Sequence, residues 1–163
     1  MEKNKKQDLE KIKKMVDEVK IAMLCTGNNN QFRSRPMSTA QFDDNGDIWF
    51  FTNEYSGKAD EIVENHQVCL AYSNPSKNTY ISLTGTAEIV NDWIKIKELY
   101  NPAIKAWFPE GLDDPKLALL RVTPVEAEYW DSSSSKMVTL FGIAKAIIVG
   151  EKFDDGNHGK VQL

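Results

Sequence analysis

The segment Phe50-Phe51-Thr52-Asn53-Glu54-Tyr55-Ser56-Gly57-Lys58 gathers the residues with the clearest chemical use. An aromatic, β-like run ends in hydroxyl side chains, and a lysine falls in the first turn of a helix that Ser56 can cap. The N–H groups and dipole of a helix N-terminus favour an anion, to which Ser56 adds a hydroxyl and Lys58 a charge, so the segment reads as a phosphate site. The same pattern also suits a capped helix with an exposed lysine. Arg33 and Arg35 stand two apart on a predicted strand and share one face. A hairpin with the strand over 48–52 brings one or both toward the Ser56–Lys58 turn, where a guanidinium can hold a phosphate through two bonds. Pro36 lacks a ladder donor, which places this stretch at an edge or against a ligand. Solvated strand arginines are the plainer alternative.

The elements that must position these residues follow from periodicity. Leu9, Ile12, Val16 and Val19 recur at helical spacing, so residues 5–19 form an amphipathic helix. Apolar runs at 21–26 and 48–52 flank a strand over 32–42, with a hairpin loop at Asp43-Asp44-Asn45-Gly46-Asp47. A helix runs from Gly57 to Asn65, and strands follow at 68–72 and 79–90, the second with a bulge or bend at Gly85. Asp92 caps a helix through Leu99, Pro102 opens a short one, and strands are expected at 117–122 and 125–130. Ser135 precedes a helical spacing that predicts a C-terminal helix over 136–149, with a polar, loose tail over 151–163. Hairpin-length connections are too frequent for a doubly wound parallel sheet. The expectation is a single α+β, mostly β domain over 1–150: an antiparallel barrel with flanking helices.

Composition narrows the function. A chain of 163 residues with formal charge −4 reaches stability on one core and has no basic, aromatic-interleaved block, so nucleic acid is excluded as the main partner. No run approaches the ~18 apolar residues of a membrane span, and residues 1–20 hold no apolar signal core. Cys25 and Cys69 lie in apolar runs as small hydrophobes, which reads as a reduced, cytoplasmic protein. His66 and His158 have no ligand-spaced neighbours, and the serines at 132–135 need no role beyond a turn and a cap. No dinucleotide fingerprint or Walker loop occurs.

Arg-Pro-Met at 35–37, Phe-Phe-Thr-Asn at 50–53, Ser-Gly-Lys at 56–58, Ser-Leu-Thr-Gly-Thr-Ala-Glu at 82–88, Trp-Phe-Pro-Glu-Gly at 107–111 and Glu-Tyr-Trp-Asp at 128–131 stand in one order. Together they resemble the general stress protein branch of the pyridoxamine-phosphate-oxidase-like flavoproteins, from about residue 8 to the C-terminus. The resemblance implies an antiparallel split β-barrel of the FMN-binding type and a homodimer with flavin in the groove between subunits. It places Arg35 and Lys58 on the FMN phosphate, with Ser56 and Thr52 as hydroxyl partners and Phe51 among the cofactor-binding residues. It sets Pro36, Met37 and Ser38 beside the flavin ring, and Trp130 on the cofactor from the neighbouring subunit. Trp130 also suits a strand-end core position, and Trp107 and Phe108 either line the substrate side or pack their own loop.

The chain departs from the vitamin-forming oxidase at Gly57, where that enzyme has arginine, at Tyr80, where it has glutamine, and at Asp131-Ser132-Ser133-Ser134-Ser135, where it has a basic stretch. Without a second cationic clamp, oxidation of pyridoxamine phosphate is not expected. The implied function is a flavin-dependent oxidoreductase whose redox partner is a small molecule, the alternative being a protein that holds FMN without turnover. FAD would suit the same phosphate cradle.

Overall fold

In the computed structural model, which describes residues 2–28, 30–131 and 157–162, the chain opens with helix α1 (Glu2–Val19). Ile12, Met15 and Val16 are buried on its inner side. The helix stops at Lys20, whose positive φ of 65 turns the chain into the sheet. The strands are β1 (Ile21–Asn28), β2 (Gln31–Phe42), β3 (Ile48–Asn53), β4 (Gln67–Asn74), β5 (Thr79–Val90), β6 (Leu117–Asp131) and β7 (Asn157–Gln162). Helix α2 (Gly57–Glu64) joins β3 to β4, and α3 (Trp93–Leu99) follows β5. Asp92 caps α3 by accepting from the amides of Ile94 and Lys95.

Every pairing is antiparallel, in the order β3-β2-β1-β4-β5-β6-β7, and β3 also pairs with β6, which closes the first six strands into a ring. This is the expected mostly β, split-barrel class with flanking helices. Alternating residues such as Leu24, Phe50, Leu70, Tyr72, Leu83 and Leu120 fill the interior. A second cluster of Trp49, Ile96, Phe108, Leu117 and Leu119 lies on the opposite face of β3 and β6, under α3.

Two strands give the barrel its split. Residues 117–122 of β6 pair with β3, and residues 126–131 pair with β7 along the same edge. In β2, residues 31–38 pair with β1, but contact with β3 is limited to Thr39, Gln41 and Phe42, across a register shift between Thr39 and Gln41. Past Phe50, therefore, β2 and β3 separate.

Two expectations are corrected. The strands expected at 117–122 and 125–130 are one continuous β6, which runs through Pro124 by a bulge: Gly85 pairs with Pro124 and Thr84 with Glu126, leaving Val125 as the extra residue. A Cβ on Gly85 would meet the Thr123 carbonyl oxygen at 2.3 Å, so only glycine allows that approach. Residues 157–162 of the expected loose tail form β7, which pairs with β6 and has Gly159 laid on the Tyr129 ring. The helix expected over 136–149 and the serines at 132–135 lie outside the described residues. Among the described residues, no helix is long and apolar enough to cross a membrane.

Candidate functional site

The site forms where β2 and β3 part and the N-terminus of α2 enters. Register fixes the facing of β2: Arg33, Arg35 and Met37 stand opposite Thr26, Leu24 and Ala22 of β1, all of which are buried. The arginines therefore share the inner face, as their spacing predicts, while Pro36 and Ser38 are exposed on the outer one. On β3, Thr52 lies on the same side as Phe50, whereas Phe51 packs into the second cluster behind the strand.

Ser56 caps α2 with extended backbone, and its hydroxyl accepts from the Ala59 amide at 3.4 Å. Asp60 in the first turn complements the dipole, and Ile62 anchors the helix in the barrel core. Lys58 is thereby carried over β2, with its Nζ 3.5 Å from Met37 Sδ. Half-buried, it has no carboxylate within ion-pair distance among the described residues. Burial, and then the charge of Arg35, push its ammonium below the ordinary lysine value of 10.5.

Thr52 Oγ1 is fully buried and has no hydrogen-bond partner among the described residues. The other such atom is Arg121 Nε, whose guanidinium is engaged elsewhere by Glu88 and Asp47. An orphaned hydroxyl costs about 1–3 kcal/mol.

Arg35 is held from behind. Its Nη1 donates to Thr26 Oγ1 at 2.7 Å and its Nη2 to Glu61 Oε2 at 2.7 Å. Thr26 Oγ1 in turn donates to Glu61 Oε2 at 2.5 Å, and Arg33 Nη1 stands 3.3 Å from Glu61 Oε1. The Thr26 hydroxyl first, then Arg35 and Arg33, hold the Glu61 carboxyl below its ordinary range against the opposing effect of burial. Asn65, one turn further on, donates to the Gly27 carbonyl at 2.9 Å and ties the end of α2 to β1.

Arg35, Met37 and Lys58 thus stand together where β2 and β3 part, with Thr52 on the barrel side of β3 and Ser56 at the start of α2, while Pro36 and Ser38 lie on the reverse face of β2. Phe51 is turned away from the opening. Trp130 is not brought to it: the residue sits at the far end of β6, between Tyr80 of β5 and His158 of β7 and beyond the 117–122 stretch that pairs with β3. Phe108 is buried in the second cluster, and Trp107 is exposed. Sequence reasoning missed Thr26, Glu61 and Asn65. Their signal was present in part, since Lys58 and Glu61 stand three apart and so share a face of α2, and Asn65 is its C-cap.

The family model described as pyridoxamine 5'-phosphate oxidase like matches residues 7–154. Protein bli-3 of Neurospora crassa is 30% identical over 143 residues, which cover 81% of this chain and 68% of that protein. A solved structure from Jannaschia sp. CCS1, named for general stress protein 26, has a TM-score of 0.76 at 30% identity and covers 96% of this chain and 99% of its own. The general stress FMN/FAD binding protein of Xanthomonas citri has a TM-score of 0.70 at 30% identity, with 80% of this chain and 92% of that one covered.

Proposed function

The chain belongs to the pyridoxamine 5'-phosphate oxidase-like family, and from that premise we propose that it is an FMN-binding oxidoreductase of the general stress type that works as a homodimer in the cytoplasm. The observation that carries this reading is the unsatisfied flank of the site. Among the described residues, Thr52 offers a buried hydroxyl with no partner, and Lys58 offers a half-buried cation with no carboxylate in ion-pair reach. A phosphate monoester supplies the acceptors and charge that both groups lack. The residues therefore fit the flavin phosphate: Lys58 and Arg35 meet its charge, and Thr52 and Ser56 its oxygens. Gly57, with open space where a Cβ would stand, leaves the approach clear.

Bound flavin supplies hydride or electron transfer. The chain's own part is to hold the phosphate end, to set the backbone of Pro36, Met37 and Ser38 beside the ring, and to shield one side of it. The dimer has support in the outer face of the sheet, where Ile21, Met23 and Tyr80 are exposed between Pro36 and Trp130. A second copy on that face covers these apolar groups and can bring its Trp130 to the cofactor. The cytoplasmic assignment has support in Cys25 and Cys69, which stand directly opposite each other on β1 and β4 yet are both free thiols.

The test is the absorbance spectrum of the purified protein, then FMN and FAD titration with size-exclusion chromatography, then anaerobic addition of NADH or NADPH. A yellow dimer with stoichiometric FMN that bleaches on reduction is the expected result. A colourless protein that ignores both flavins overturns the cofactor reading. A bound flavin that stays oxidised with both reductants overturns turnover in favour of a flavin-holding protein.

A further inference from the structure

We propose that Glu61, a residue outside the phosphate-binding set, is a positioning residue that fixes Arg35 for the anion and thereby sets the preference for a phosphorylated flavin. The inference rests on the FMN reading above and concerns how that site achieves its selectivity.

Glu61 could in principle act in the opposite sense, as an internal anion that competes with phosphate for Arg35. The geometry argues against competition. The side chain of Glu61 is only 13% exposed, and its carboxylate serves Thr26, Arg35 and Arg33 at once. If Arg35 left it for a ligand, a nearly buried carboxylate would lose its main charge partner, which is among the costliest changes in a protein interior. Glu61 therefore stays bonded when an anion arrives.

Arg35 does not need to leave. A guanidinium carries five N–H donors, and the bonds to Thr26 and Glu61 use one hydrogen on each terminal nitrogen. The remaining donors lie in the same plane, which those two bonds hold. Lys58 Nζ lies 3.5 Å from Met37 Sδ, and Met37 stands two residues from Arg35 on the same face of β2, so both cations are near one opening. Thr26 completes the clamp, since its single hydroxyl accepts from Arg35 and donates to Glu61. Three elements, β1, β2 and α2, thus meet at one carboxylate, and the orientation of Arg35 relative to the N-terminus of α2 is set there.

The test is a double-mutant cycle of Glu61→Gln and Arg35→Ala, read as FMN and riboflavin affinity by flavin fluorescence, with folding followed by thermal melting. Riboflavin lacks the phosphate, so it reports ring and ribityl binding alone. Glu61→Gln is expected to weaken FMN about tenfold, in the range that lost orienting carboxylates show, while moving riboflavin by less than twofold. In the Arg35→Ala background it should add nothing further, because the group it positions is gone. Thr26→Val, which keeps the shape and removes both hydroxyl bonds, should reproduce the FMN loss to a smaller extent and serves if Glu61→Gln does not fold. Tighter FMN binding by Glu61→Gln, additive losses in the cycle, or equal losses of FMN and riboflavin would overturn the inference. Wild-type protein that binds riboflavin and FMN equally overturns it as well, and wild-type protein that binds neither overturns the FMN reading along with it.

Discussion

The two flanks of the opening between β2 and β3 are built from similar side chains and treated in opposite ways. On the β2 flank, Thr26, Arg33, Arg35 and Glu61 form a network in which hydroxyl, guanidinium and carboxylate groups partner one another. On the β3–α2 flank, among the described residues, a threonine hydroxyl is buried without a partner and a lysine is half-buried without a carboxylate in ion-pair reach. A fold that needs only stability satisfies its buried polar groups. In the proposed reading, the first flank is a framework that holds Arg35 in place, and the second presents groups that a ligand would satisfy.

The largest expected effects come from deleting one charge on each flank. Glu61→Ala leaves Arg35 and Arg33 without their shared carboxylate and should cost about 2–3 kcal/mol, read as a lower urea midpoint at unchanged slope. Lys58→Ala removes a charge that the fold already disfavours, so the midpoint should move by less than about 0.5 kcal/mol. The same variant should lose on the order of 1–3 kcal/mol of FMN affinity. Equal stability losses in the two variants would erase the distinction between the flanks.

A pH titration sharpens the ligand flank. Lys58 loses its proton below the ordinary lysine value of 10.5 in the flavin-free protein, and an anion favours the charged form. Binding above that lowered value must take up a proton, so FMN affinity falls with rising pH by up to about tenfold per unit. The phosphate monoester contributes nothing there, its second pKa lying near 6. Lys58→Arg, which stays charged, should flatten the alkaline loss, with riboflavin as the control for the ring. A wild-type profile that turns only above 10.5 would remove Lys58 from the phosphate.

A smaller effect of unusual sign is expected at Thr52. Thr52→Val replaces an unsatisfied hydroxyl by a methyl of the same shape and should raise flavin-free stability by up to about 1 kcal/mol while weakening FMN. Thr26→Val, the same change on the other flank, should lower stability, because it breaks two bonds. A Thr52→Val variant that melts lower than wild type, without flavin, would show that the hydroxyl is satisfied in the framework.

Much of this arrangement was legible in the sequence, for identifiable reasons. Helix α3 and strand β5 were read to the residue because Asp92 caps the one and alternation runs unbroken through the other. The spacing of Arg33 and Arg35 predicted their shared face, and Ser56 predicted the cap of α2. The continuity of β6 was hidden by Pro124, whose effect depends on Gly85 of a strand more than thirty residues earlier. Strand β7 was hidden by its composition, since polar residues pair with β6 through backbone that carries no sequence signal. Glu61 looked like a solvated helix residue, and only the closure of β1, β2 and α2 gives it three partners.

The smallest effect tests the framework flank by acid. Glu61 has a folded pKa held below its ordinary value of 4.5 by Thr26 and the two arginines. A carboxyl with a depressed folded pKa binds fewer protons in the native state than in the unfolded one. Its contribution is therefore complete above the unfolded value and is lost as pH falls through the folded one. Glu61→Gln cannot follow that titration. The stability gap between wild type and Glu61→Gln, read from urea midpoints at descending pH, should be widest at neutral pH and close below about 4.5. A gap that is the same at pH 7 and pH 3 would mean that Glu61 contributes through shape and not through charge, and the β2 flank would lose its standing as an ion-paired framework.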